Sequence, residues 1–168
     1  AQPDWEVWLA AHHETSSGLW LKVAKKSSGI PTVTYQQALD VALCYGWIDG
    51  QKQSFDTDYF LQRFTRRGKR SMWSLINCRK VEELIAQGKM KPAGLAEIEA
   101  AKMDGRWAMA YPSQSTIKVP DDLQQLLDSN PIAAEAFGRL PRSARYSILF
   151  QLHHAKKPET RSRRMEKF

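Results

Sequence analysis

The chain has 168 residues, 42% of them hydrophobic, enough to bury one sizeable core. Lys and Arg outnumber Asp and Glu by 25 to 18, a formal charge of +7 that favours acidic partners over basic ones. No stretch approaches the roughly 18 apolar residues of a membrane-spanning helix, and Cys44 and Cys78 are too few for a disulfide scaffold.

The opening AQPDWEVWLAAHH lacks the basic flank and long apolar run of a signal peptide. With Ala1 near the native start, a soluble, cytoplasmic protein is expected. Asp4 followed by Trp5, Trp8 and Leu9 predicts a helix over residues 4–14, ended by Ser16-Ser17-Gly18. Leu19 to Val23 is β-rich and predicts a strand. After a polar loop, Thr34 can cap a helix carrying Ala38, Leu39, Val41, Ala42 and Leu43, with Gly46 as a left-handed C-cap.

Trp47 to Gly50 and Tyr59 to Thr65 read as an antiparallel hairpin with a wide loop around Asp56. Ser71 to Ala86 is amphipathic and is stopped by Gly88; Pro92 opens another helix that runs to Asp104-Gly105. Residues 106–120 read as extended and irregular. Breaks at Asn130-Pro131 and Leu140-Pro141 predict helices near 121–129, 131–138 and 141–155, followed by a basic segment after Pro158. The chain ends at Phe168 inside a helical pattern, so a trimmed or frayed end is expected there. The fold class is α+β: a small antiparallel sheet of about three strands in the N-terminal half, packed by several helices, with a helical C-terminal region. The expected division is an α+β core over residues 1–110 and a helical region over 111–168, packed on it or extending from it.

Seven basic residues and no acidic one lie between Arg63 and Lys80. If Ser71 is an N-cap, the helix behind it presents unpaired N–H groups to an anion, with Arg67, Lys69 and Arg70 just ahead. Guanidinium forks match phosphate or carboxylate, whereas Lys69 is a point charge. Ser71, Ser74 and Asn77 recur every three residues and share a helix face that could bond a ligand. Trp73 fits core packing better than a stacking role. Trp47 and Asp49 would share one strand face, and a carboxylate held there needs a partner such as Arg67, Lys52 or Arg106. Against ligand contact stands a plain structural role for Asp49 within the hairpin.

The cluster Lys156-Lys157 and Arg161 to Lys167 is interrupted by Glu159 and Glu166 and reads as a solvated helix. His12-His13 and His153-His154 are adjacent pairs whose side chains diverge, so no metal site is expected. P-loop, GxGxxG and GxSxG motifs are absent, and no cofactor is expected.

Taken in order, Tyr35-Gln36-Gln37-Ala38-Leu39-Asp40, Cys44 to Gly50, Arg63-Phe64-Thr65, Ser71 to Ser74 with Asn77, Gly88-Lys89-Met90, Ala101-Lys102, Asp104 to Trp107 and Glu159-Thr160-Arg161 resemble the bacterial family called bacteriocin-protection, YdeI or OmpD-associated. The resemblance spans almost the whole chain. It implies loose links to envelope stress and peptide-toxin tolerance, and it carries no reaction or cofactor. Arg66 stands where the family usually has proline and Gly68 where it is usually basic, which implies a looser turn at Arg67.

Three readings follow. The first is a non-catalytic binding protein for a small anionic ligand or acidic peptide, using Arg67, Lys69, Arg70, Ser71 and Ser74 with Trp47 or Trp73 as an apolar wall. The second is nucleic-acid binding, because cations interleaved with aromatics track phosphates and stack on bases. The third is an enzyme using Asp49 with a basic partner and Asn77 or Ser74, which requires a pocket at Asp49.

Overall fold

A computed structural model describes residues 1–167; the frayed end expected at Phe168 lies outside the described residues. The chain divides into two compact units. The first comprises Ala1–Ser71 and Asn77–Trp107, the second Met72–Ile76 and everything from Ala108 onward.

In the first unit the elements run α1 (Gln2–His12), β1 (Gly18–Ala24), α2 (Tyr35–Cys44), β2 (Trp47–Ser54) and β3 (Tyr59–Arg66). Most of α3 (Leu75–Ala86) and all of α4 (Pro92–Met103) follow. The sheet is antiparallel in the order β1-β3-β2. Thr34 caps α2 as expected: its hydroxyl accepts from the Gln37 N–H at 3.2 Å, and the Gln37 side chain accepts from the Thr34 N–H at 2.9 Å. Gly46, at φ 74°, turns the chain from α2 into β2.

The alternation along β3 puts Phe60, Gln62 and Phe64 inward, where Phe64 is fully buried. Trp5 packs on it at 5.4 Å between ring centroids and meets Trp47 edge-on at 6.3 Å. Both indole N–H groups are satisfied, Trp5 donating to the Ala38 carbonyl at 3.0 Å and Trp47 to that of His13 at 3.1 Å. These aromatics supply apolar area without leaving a buried donor unbonded. A bulge between Asp49 and Lys52 sets two residues of β2 against Arg63. The buried Gln62 amide reaches across and donates to the carbonyls of Gly50 and Gln51 at 3.0 and 3.2 Å.

In the second unit α5 (Asp121–Ser129), α6 (Pro131–Arg139), α7 (Arg142–His153) and α8 (Pro158–Lys167) surround Leu123, Leu127, Leu149 and Leu152. Ile117, Val119 and Phe137 pack against this cluster. Ser74 and Tyr111 form a parallel bridge: the Tyr111 N–H donates to the Trp73 carbonyl, and the Leu75 N–H to that of Tyr111, each at 2.9 Å.

That bridge corrects the expected helix at Ser71. The backbone of residues 73–75 is committed to extended pairing, so α3 starts at Leu75. Ser71 instead closes a tight loop, its hydroxyl accepting from the Gly68 N–H at 2.9 Å while its own N–H donates to the Gly68 carbonyl at 2.9 Å.

Candidate functional site

The nine residues singled out from the sequence lie on several elements of the chain. Trp47 and Trp73 are buried. Asp49 is half-buried and accepts a hydrogen bond from the Tyr35 hydroxyl at 2.7 Å. Of the expected cations, Lys52 lies over the Phe60 ring at 4.1 Å, and Arg106 bonds Asp104 and the Ser71 carbonyl. Arg67 is turned inward and is only 4% exposed, whereas Lys69 and Arg70 are exposed in the loop that Ser71 closes. Ser74 and Asn77 are both half-buried, with Trp73 and Ser74 belonging to the second unit and Asn77 to the first. The cavities described next are lined by other residues than these nine.

A cavity of about 320 Å³ in the first unit lies among α1, α2 and α3. Its charges balance: Glu6, Asp40 and Glu83 face Lys80, Lys89 and Lys91. Lys80 is bound to Asp40, and the Lys91 ammonium lies 3.9 Å from Glu6. Cys44 contributes a thiol to the lining, but burial pushes its pKa up to about 11, so it stays protonated near neutrality and is a poor nucleophile. Cys78, also pushed up to about 11 by burial, is equally inert.

Two cavities of the second unit have a different character. One, about 460 Å³, is lined by Ile117, Lys118, Val119, Leu149, His153 and Arg161 with neighbouring Pro112, Thr116 and Pro120. The other, about 210 Å³, shares Ile117, Val119 and Leu149 and adds Gln114, Phe137, Arg142, Arg145 and Tyr146. They form adjoining grooves on either side of one apolar floor. Four Lys and Arg side chains and His153 rim them, and no carboxylate is part of either lining.

The local sequence explains this arrangement. Ile117-Lys118-Val119 alternates before Pro120, so the two apolar side chains join the leucine core while Lys118 stays exposed. Arg142, Arg145 and Leu149 recur at three and four residues along α7 and so share one side of that helix. His153 donates from Nε2 to the Met109 carbonyl at 3.2 Å, which fixes its tautomer. The Tyr146 hydroxyl donates to the Pro112 carbonyl at 3.2 Å, and burial, with Tyr111 nearby, raises its pKa and keeps it a neutral phenol.

Arg161 is held by Asp122, whose carboxyl is lowered below the ordinary carboxylate range chiefly by the hydrogen bonds from that guanidinium. Two donors of Arg161 go to this carboxylate and a third to the Leu152 carbonyl at 2.8 Å. The fork thus sets the edge of the larger groove with part of its charge already neutralised.

Residues 1–97, more than half of the chain, match the family model described as a domain of unknown function, DUF8412. The chain belongs to that family. Residues 116–168 match the model described as bacteriocin-protection, YdeI or OmpD-associated. That resemblance is therefore found in the last part of the chain, and Glu159-Thr160-Arg161 is the quoted motif that lies inside it. No curated protein and no solved structure matches the chain. The charge-balanced cavity lies wholly within the DUF8412 segment, and the basic grooves lie mainly within the second match.

Sequence reasoning missed the grooves. It treated Arg161 as part of a solvated basic run and 106–120 as irregular. The legible signals were the apolar-basic-apolar triplet at 117–119 and the spacing of Arg142, Arg145 and Leu149.

Proposed function

We propose that this protein is a non-catalytic binding protein for a small anionic ligand bearing an apolar arm, held in the paired grooves of the second unit. The observation that supports it is the lining: an apolar floor of Ile117, Val119 and Leu149 under Lys118, Arg142, Arg145 and Arg161, with no carboxylate lining either groove. The larger cavity falls in the ordinary size range of small-molecule sites, roughly 300–1,000 Å³. A phosphate or carboxylate would bond the Arg145 guanidinium and the Lys118 ammonium, and the arm would cover the floor. Lys69 and Arg70 add to the net positive charge that draws an anion inward. Tyr146 at the groove rim is a neutral phenol already donating to a carbonyl.

The model matched by the same part of the chain is described by bacteriocin protection, and a site for an amphipathic anion suits a role in envelope stress or peptide-toxin tolerance. A cytoplasmic setting belongs to the same proposal and is supported by the two unbridged cysteines.

The test is calorimetric titration of the full chain with hexyl phosphate, inorganic phosphate, hexanol and hexyltrimethylammonium. Hexyl phosphate is expected to bind tightest, with the affinity of a Lys118→Gln, Arg145→Gln variant falling about tenfold or more, as expected on losing charge-assisted hydrogen bonds. Equal binding of the cationic analogue, or an unchanged affinity in the variant, would overturn the proposal.

A further inference from the structure

The first unit carries a surface that the grooves do not use. Helices α1 and α2 cover one face of the sheet through Trp5, Trp47 and Phe64, and the opposite residues of each strand form the other face. Trp20 on β1 stands beside Arg63 on β3, and Lys22 beside Leu61, with Tyr59 two residues further along. The Arg63 guanidinium lies over the Trp20 indole at 5.7 Å, while the Lys22 ammonium sits over both the Phe55 and Tyr59 rings, at 4.3 and 4.0 Å. Trp20 is 39% exposed and Phe55 53%, well above what buried aromatics show.

We infer that this sheet face binds single-stranded nucleic acid, with bases stacked on Trp20 and on the Phe55-Tyr59 pair and phosphates held by Arg63 and Lys22. Every base has a flat π-face and every link carries a negative charge, and this surface alternates rings with cations in the same way. The separation suits such a ligand. Tyr59 lies four positions along β3 from Arg63, the partner of Trp20, so the two ring sites are about 14 Å apart along the strands at roughly 3.4 Å per residue, room for a few nucleotides.

The rings decide against other anionic partners. An acidic peptide would satisfy the cations but leave the aromatic faces without a flat counterpart. A membrane surface would need a continuous apolar patch, and here each ring is interrupted by a charge. The acidic groups near the face are Asp56 and Asp58 at the β2–β3 turn. Asp56 is occupied in shaping that turn: it accepts from the N–H groups of Asp58 and Tyr59 at 2.8 and 2.7 Å, and its second oxygen lies 4.0 Å from Lys22. It holds Lys22 in place from one end of the platform, while Arg63 supplies the cation beside Trp20 at the other.

Fluorescence anisotropy of a labelled twelve-nucleotide oligothymidylate with the full chain tests the inference. Wild-type binding is expected to weaken with added salt at a log–log slope of about −1.4 for two neutralised phosphates. The Trp20→Ala, Phe55→Ala variant should bind at least tenfold more weakly, Trp20→Phe should keep most of the affinity because it keeps a ring, and Lys22→Gln, Arg63→Gln should flatten the salt slope. Arg139→Gln, an exposed position on α6 of the other unit that lines neither groove, should leave the titration unchanged. Circular dichroism melts of each variant report whether the fold is retained. The inference is overturned if the ring-deleted variant, still folded, binds as tightly as wild type. It is equally overturned if a duplex of the same length binds as well as the single strand, or if polyglutamate or anionic phosphatidylglycerol vesicles compete the oligonucleotide off at equal charge.

Discussion

Arg161 on α8 holds Asp122 in the first turn of α5 with a two-pronged hydrogen bond, one prong donating to Oδ1 at 2.7 Å, while its remaining terminal nitrogen donates to Leu152 on α7 at 2.8 Å. One guanidinium therefore ties three helices. Lysine cannot reproduce that fork. Because both side chains are partly exposed, Arg161→Lys is expected to cost only about 1 kcal/mol, lowering the melting temperature by roughly 2–4 °C.

The same pair gives an acid-limb signature. The Asp122 carboxyl is lowered in the folded protein, so the unfolded chain binds its proton first as pH falls. The stabilisation is complete above the unfolded value of about 4 and disappears as pH drops through the folded value. Urea midpoints measured from pH 7 to pH 3 should show the gap between wild type and Asp122→Asn narrowing toward the acid end. A gap that widens there would contradict this coupling.

Gln62 closes the bulge in β2. Replacing it with Leu leaves the Gly50 and Gln51 carbonyls without their amide donor, at an expected cost of about 1–3 kcal/mol in chemical unfolding. Hydrogen exchange at residues 49–53 should accelerate in the same variant.

Gly94 sits where α4 meets the end of α2. A Cβ there would lie 2.3 Å from the Cys44 carbonyl oxygen, a backbone atom that cannot swing aside. Alanine normally gains about 1 kcal/mol over glycine inside a helix, but overpacking of this kind costs about 3 kcal/mol or more. Gly94→Ala is thus expected to be net destabilising by about 2 kcal/mol, read as a lowered urea midpoint.

Cys44 and Cys78 are buried, and burial holds each thiol at about 11. At pH 8 the native protein should leave both unreacted with Ellman's reagent on a timescale of minutes, and denaturant should release both at once. Rapid labelling of the native state would show that one of them is open to solvent.

The secondary structure was largely legible because its signals are local. Thr34 with Gln37 announces the start of α2, Gly46 its end, and the alternation from Phe60 to Phe64 the inward face of β3. What was not legible depends on partners far away in sequence. Within the basic run 63–80, Arg67 turns inward while Lys69 and Arg70 stay out, in a loop closed on itself by Gly68 and Ser71. Nothing near Ser71 in sequence reveals that residues 73–75 pair with Tyr111 and delay the helix. Likewise Arg161 lies 39 residues from Asp122, a separation that periodicity does not see.

The Ser74–Tyr111 bridge also bears on how the gene can be cut. A fragment stopping at residue 97 would strand Met72–Ile76 without the partner that fixes its backbone, and one beginning at residue 116 would lack both halves of that ladder. On the ribosome, too, the 72–76 segment emerges well before Tyr111 and must wait for it, so assembly of the second unit cannot finish in the order in which its pieces are made.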